Sequence, residues 1–327
     1  MIRRAAVLLA LAAAVLAFAN REALLMAWQE PVELAWQDPG VPAIGKLEPW
    51  LAAKEAAVPN LRADAAKQIV WAGEPGQRTP LSLVYVHGFS AAPPELRPVP
   101  DLVAEALGAN LFFARLAGHG RDSAAMAEPQ VADWAHDLAE AIAVGRTLGR
   151  RVIVMGSSMG GALATLAALD PDYGRDVAGL VLVAPAYRLQ GIGGKVVTMP
   201  FVRFWGPPLF GGTRQSEPRS PGHAAAWTLT YPTVSVLPLG ALVREIGGAD
   251  MGLAAIPALF FFSEADRVVD PAAVRQAAAD WGAPAELAPL QMGPGDDPSA
   301  HVIAGDILSP GQTVSMAERV IAWVRGL

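Results

Sequence analysis

The sequence predicts an α/β protein: a mostly parallel central sheet with helices on both faces, interrupted once by an insertion. Three observations predict it. From residue 67 onward, short runs of Val, Leu and Ile alternate with stretches of helical period. Those runs are apolar throughout, as strands covered on both faces must be. Between about 185 and 255 the rhythm stops in a segment rich in Gly, Pro and aromatic residues, and it resumes at Ala258. Parallel neighbours need long crossover connections, and the intervening helices supply them.

The elements follow in order. Gln68–Ala72 and Leu81–Val86 read as short strands flanking a Gly/Pro turn. Leu96–Leu107 has helical period, Asn110–Leu116 is an apolar strand, and Val131–Leu148 is an amphipathic helix. Arg151–Met155 (RVIVM) is a buried strand followed by a helix at Ala162–Leu169, and Val177–Val183 is a strand enriched in β-branched residues. Beyond the insertion come a strand at Ala258–Phe262, a helix at Pro271–Trp281, a strand at Pro284–Pro289 and a helix at Thr313–Arg325. The insertion is expected to cap the sheet.

The N-terminus has a different character. Met1-Ile2-Arg3-Arg4 precedes an apolar run from Ala5 to Ala19, and Ala17-Phe18-Ala19 has the form a signal peptidase accepts. Residues 1–19 are therefore expected to be a signal peptide, cleaved after Ala19, or a retained membrane anchor. Either places the protein in the cell envelope, periplasmic or membrane-anchored. Residues 20–66 carry Pro31, Pro39, Pro42, Pro49 and Pro59 and read as a linker that becomes a packed strap, with one short helix near Trp50–Ala57. The remaining 67–327 form the α/β domain with its cap at about 185–255.

Composition narrows the function. Of 327 residues, 53% are hydrophobic and 17% charged, which excludes disorder as the main state. The net charge is −6 and no Lys/Arg run exceeds two residues, so the basic stripe of a nucleic-acid binder is missing. Cysteine is absent, which removes disulfides, thiolate metal sites and a Cys nucleophile. The histidines have no metal-ligand spacing, so neither a metal nor another cofactor is expected.

One motif carries chemistry. Gly156-Ser157-Ser158-Met159-Gly160 matches G-x-S-x-G, directly after the buried strand RVIVM and at the start of a helix. In that strand–turn–helix setting a serine sits on a strained turn with its hydroxyl exposed. Gly156 and Gly160 suit the turn because side chains there would meet the adjoining strand and helix. A serine hydroxyl needs a base and an orienting carboxylate to become a nucleophile. Five histidines are available: His87, His119, His136, His223 and His301. His87 and His119 sit in Gly-containing loops at strand ends and read as loop buttresses; His136 lies on an amphipathic helix, and His223 lies in the insertion.

On these residues the chain resembles the α/β-hydrolase superfamily, closest to its esterase and monoacylglycerol-lipase-like (serine-aminopeptidase-like) branch, over nearly all of 67–327. His87-Gly88-Phe89-Ser90 stands where that family has its oxyanion loop, and Gly118-His119-Gly120 where this branch has a GHG turn. The resemblance implies Ser158 as nucleophile and His301, between the last strand and last helix, as base. It implies Asp266 as acid, in Ser263-Glu264-Ala265-Asp266, with Ser263 replacing the family's usual glycine. Asp270 is the rival acid, although Pro271 after it marks a helix N-cap. Asp296 and Asp297 read as turn residues. The oxyanion hole would be the backbone N–H groups of Phe89 and Met159, with Gly88 as a glycine of that loop.

The expected function is hydrolysis of carboxylic esters through an acyl-enzyme, on a small-molecule ester or lipid. The aromatic stretch Met199–Phe210 would serve as an acyl pocket or, with the N-terminal segment, as a membrane contact. The same stretch also reads as a small cap supplying its own core. Thioesterase, lysophospholipase and peptidase activities, and a non-catalytic binding protein, are the alternatives.

Overall fold

The computed structural model describes residues 30–199 and 201–327. The leader expected at 1–19 lies outside the described residues.

The central sheet contains β1 (Gln68–Val70), β2 (Thr79–Val86), β3 (Asn110–Phe113), β4 (Gly149–Ser157), β5 (Val177–Val183), β8 (Ala258–Phe262) and β9 (Ala285–Pro289). Their spatial order is β1-β3-β2-β4-β5-β8-β9. Every neighbouring pair is parallel except β1 with β3 at the edge. The mostly parallel sheet read from the sequence is therefore present. The strands on either side of the Gly/Pro turn, β1 and β2, do not pair, because β3 lies between them.

The sheet is covered on both faces, which explains the unbroken apolar strands. Leu83, Tyr85, Ile153, Met155, Leu259 and Phe261 face the helices Val99–Leu107 and Thr313–Arg325. Their alternates Val84, Val86, Val152 and Val154 face the helix Val131–Leu148, whose Trp134 and Leu138 are fully buried, and Phe260 meets Trp281 edge-on at 5.1 Å. Each fully buried large apolar side chain contributes roughly 1.5–3 kcal/mol.

Boundaries moved where proline or a buried charge intervened. The helix expected from Leu96 starts at Val99, with Pro98 at its cap and a separate short turn at Pro93–Leu96. Pro98 has no N–H to continue a helical ladder from that turn. The strand expected to reach Leu116 ends at Phe113, and Arg115 beyond it turns to the Glu55 carboxylate.

The described part of the strap is packed. Its helix Leu47–Ala56 places Leu47 and Leu51 in the core. Trp36 meets Tyr173 edge-on at 5.0 Å, and the Arg146 guanidinium lies 4.8 Å from the Trp36 ring centre. Lys67 bonds Glu140 (2.5 Å) and Asp137 (3.3 Å) on the helix Val131–Leu148, and Lys54 also reaches Glu140.

Between β5 and β8 the chain forms the helices Gly191–Val197, Val202–Phe210, Pro221–Ala226 and Val236–Gly247, with an antiparallel ribbon of β6 (Thr213–Gln215) and β7 (Thr230–Pro232). Val202, Val236 and Leu237 make a small core of their own, against which Phe89 also packs. The insertion thereby touches the loop after β2.

Candidate active site

The site is built where β4 ends. Ser158 adopts φ 49° and ψ −112°, a left-handed conformation rare for a residue with a Cβ. It follows β4 immediately and is followed by the helix Met159–Ala164. The turn is tight enough to require both motif glycines. A Cβ on Gly156 would lie 2.3 Å from the Gly160 carbonyl oxygen, and one on Gly160 would lie 2.2 Å from that of Val86.

The loop after β9 brings His301 to the serine. His301 Nε2 lies 2.9 Å from Ser158 Oγ, and His301 Nδ1 lies 2.9 Å from Asp266 Oδ2. The loop after β8 fixes Asp266, whose Oδ1 accepts the N–H groups of Val268 (2.7 Å) and Val269 (2.9 Å). One carboxylate oxygen is thus held by backbone and the other is left for the imidazole. Burial works against a charged His301, but the Asp266 hydrogen bond and charge, joined by Glu95 and Asp297, hold its pKa above the ordinary value.

Asp270 does not reach this group. It caps the helix Pro271–Asp280 by accepting the Ala272 N–H (2.9 Å) and pairs with Arg188.

Gly88 and Met159 sit beside the serine, and Phe89 follows Gly88. Met159 opens its helix, so its N–H has no acceptor one turn back. Ser90, at φ 63°, completes a sharp bend after Phe89, and its carbonyl accepts the Thr228 N–H from the insertion at 2.7 Å. The Phe89 ring is held edge-on by His119 (5.6 Å), Trp134 (6.3 Å) and Tyr231 (5.4 Å).

The remaining histidines are dispersed. His87 and His119 are fully buried loop supports: His87 Nε2 accepts the Leu116 N–H, while His119 Nδ1 meets the Ala117 carbonyl. Burial pulls His119 down to about 4 and His87 well below its ordinary value. His136 is exposed on its helix, and His223 is buried in the insertion.

The profile of the alpha/beta hydrolase family matches residues 83–305. The chain belongs to that family. Among curated relatives of this alpha/beta hydrolase, a thermostable monoacylglycerol lipase from Bacillus sp. strain H-257 is 27% identical over 198 residues, spanning 59% of this chain and 73% of that protein. A solved structure of the metagenome-derived lipolytic enzymes LipS and LipT has a TM-score of 0.64 at 21% identity, covering 82% of this chain and 100% of that one. A monoglyceride lipase variant from Saccharomyces cerevisiae, bound to a substrate analogue, has a TM-score of 0.58 at 12% identity, covering 79% and 90%.

Two carboxylates of this hydrolase escaped the sequence reading. Asp297 was expected only in a turn, yet it is buried and organises the His301 loop. It accepts the N–H groups of Ser299 (3.0 Å), His301 (3.2 Å) and Val302 (3.0 Å) and pairs with Arg219. Despite its burial, these donors hold its pKa far below the ordinary value. Glu95 lies under the loop after β2, where its Oε2 accepts the Gly88 N–H and the Tyr85 hydroxyl, each at 2.8 Å. It is 3% exposed, and burial raises its pKa against the pull of those donors, His301 and Ser157. The available signal was an isolated acid in the apolar stretch Ala91–Leu96, and nothing in the spacing distinguished it from a surface residue.

Proposed function

We propose that this protein is a serine hydrolase that cleaves carboxylic esters with apolar acyl groups through an acyl-enzyme. The observation that carries the reading is the continuous relay from Ser158 Oγ through His301 to Asp266, with both links at 2.9 Å. His301 Nε2 takes the hydroxyl proton as Ser158 Oγ bonds to the ester carbonyl carbon. The carbonyl oxygen becomes an oxyanion that accepts the N–H groups of Phe89 and Met159, each such donor being worth about 3 kcal/mol. Collapse breaks the bond to the alcohol oxygen, which leaves with the proton held on His301. Water then attacks the acyl–Ser158 ester with His301 again as base, releasing the acid and restoring the hydroxyl. Asp266 fixes the tautomer and offsets the charge on the imidazolium.

The apolar residues of the insertion and the Bacillus relative's lipase activity both favour lipid-like acyl esters, monoacylglycerols among them. A panel of p-nitrophenyl esters of increasing chain length tests this with the full-length protein and its Ser158→Ala variant. Activity abolished in the variant supports the assignment, and the chain-length optimum measures the acyl site. Turnover retained in the variant overturns it, and wild-type protein that neither turns over nor reacts with a fluorophosphonate supports a binding protein instead.

We also propose that the protein resides in the cell envelope with the insertion against a lipid surface. Ile192, Phe204 and Leu209 are 79%, 60% and 68% exposed. In the helix that bears two of them, Arg203 holds Glu30 at 2.6 Å, which ties the insertion to the chain that follows the apolar N-terminal run. Recovery with liposomes in flotation, weakened by Leu209→Asp, is the expected result; recovery unchanged by that substitution counts against it.

A further inference from the structure

The most unusual group near Ser158 is a carboxylate to which the acyl-transfer sequence above gives no part. Glu95 is buried with no lysine or arginine bonded to it among the described residues. A buried charge without a cation is costly, and an ordinary structural position would be filled by an apolar side chain. Here the surroundings are arranged for an anion: the Gly88 N–H and the Tyr85 hydroxyl both donate to Oε2.

Its location is equally specific. A Cβ placed on Gly88 would lie 2.9 Å from Glu95 Oε1 and 3.2 Å from Ser158 Cβ. Gly88 thus lies close to both the carboxylate and the nucleophile's side chain, with no room for a Cβ. The N–H that Glu95 anchors belongs to the residue just before Phe89, whose own N–H is the first oxyanion donor. Three carboxylates therefore act on His301: Asp266 by a direct bond, Asp297 through the N–H of its loop, and Glu95 from below the oxyanion loop. The titratable or hydroxyl groups facing Glu95 are Tyr85 on β2, Ser157 on β4 and His301.

We propose that Glu95 is a positioning residue for the Ser158 reaction: it holds Gly88 so that the Phe89 N–H points at the oxyanion, and its negative charge stabilises the His301 imidazolium formed when Ser158 attacks. This rests on the acyl-transfer reading of the site. The arrangement gives the buried charge a purpose. In the resting enzyme it is uncompensated, and it is compensated when the imidazolium appears, so its interaction is stronger in the transition state than in the ground state.

The test is the pH dependence of phosphonylation by a fluorophosphonate, which needs no natural substrate, together with hydrolysis of a short p-nitrophenyl ester. Glu95→Gln keeps an oxygen for the Gly88 N–H and removes the charge. Its acid limb is expected to move to lower pH by about half a unit or more, with a plateau rate about 3- to 10-fold lower. Glu95→Ala also removes the anchor, and its kcat is expected to fall further while KM for the short ester changes less. An acid limb for Glu95→Gln within about 0.2 units of wild type overturns the proposal. That decision needs only the glutamine variant, so it stands if Glu95→Ala fails to fold. Ser158→Ala, run alongside, reads the underlying mechanism separately: labelling that persists there overturns both, whereas labelling lost there with an unmoved Glu95→Gln limb overturns the Glu95 role alone.

Discussion

Arg115 and Glu55 form a buried two-point ion pair, with Nε and Nη2 of the guanidinium 3.0 and 2.8 Å from the two carboxylate oxygens. It joins the helix of the N-terminal strap to the loop that follows β3, next to the GHG turn. Burial opposes the charge on Glu55, but Arg115 and the Lys67 N–H hold its pKa below the ordinary value. Removing one partner leaves the other charge stranded, which costs about 3–5 kcal/mol. Glu55→Ala is expected to lower the urea midpoint by that equivalent. A loss below about 1 kcal/mol would show that the strap contributes little to global stability.

Asp297 gives a more local expectation. It gathers the backbone N–H groups of Ser299, His301 and Val302 from the loop that presents His301, and Ala300 within that loop takes φ 53°. A loop held this way needs its acceptor to keep the imidazole at 2.9 Å from Ser158 Oγ. Asp297→Ala should lower kcat roughly 100-fold through misplacement of the base. Asp297→Asn, which keeps one acceptor oxygen, should recover part of the loss. Steady-state kinetics on a short ester separates this from a binding defect, since KM should move far less than kcat.

The raised pKa of His301 fixes the direction of the pH profile. The base works only when neutral, so log kcat/KM should rise with pH through an inflection above 6.5, the ordinary histidine value. Stability runs the other way for this group. A histidine with a raised native pKa contributes stability in full below its unfolded value and loses it as pH rises through the native value. His301→Gln should therefore remove activity at every pH and flatten the stability curve on the alkaline side of 6.5. Rates that fall with rising pH across that window would contradict the base assignment.

His119 titrates in the opposite sense. Its native pKa is about 4 against an ordinary 6.5, because the ring is fully buried. Between those values the unfolded chain binds a proton that the native state does not, so stability falls as pH drops. The loss attributable to this group reaches roughly 3 kcal/mol by the lower value. His119→Gln should lose less stability than wild type between neutral pH and the acid end of the window, as read from urea midpoints. Equal losses in the two proteins would mean that His119 protonates without unfolding.

The difference between what was legible and what was not has a physical basis. Val177–Val183, Ala258–Phe262, Val131–Leu148 and Thr313–Arg325 have the bounds their hydrophobic period indicates, because burial alone decides them. The G-x-S-x-G turn was legible because steric need restricts two of its positions to glycine. Ser158, His301 and Asp266 were placed by motif and chain order, and the structure sets His301 within hydrogen-bond reach of both Ser158 and Asp266. Glu95 and Asp297 were not, since a buried carboxylate is recognised by the backbone donors around it, and these come from folding rather than spacing. The Glu55–Arg115 pair, sixty residues apart in sequence, was hidden for the same reason.

The steric argument at the turn can itself be measured. A Cβ on Gly160 would lie 2.2 Å from the carbonyl oxygen of Val86 and 2.6 Å from that of His87. Both obstacles are backbone at the end of β2, where the chain enters the loop that carries Gly88 and Phe89. No rotamer change relieves them, so either β2 or the elbow must shift. Overpacking against backbone costs about 3 kcal/mol or more, and any shift displaces the backbone N–H groups of Phe89 and Met159 from Ser158. Gly160→Ala is expected to be poorly soluble or, if folded, inert to a fluorophosphonate. Gly45 in the strap supplies the comparison: its Cβ would meet nothing within 4 Å and its φ is ordinary. Gly45→Ala should stay within about 0.5 kcal/mol of wild type and label at the same rate. A Gly160→Ala protein with wild-type stability and labelling would show that the turn is looser than the close approach of Gly160 to β2 requires.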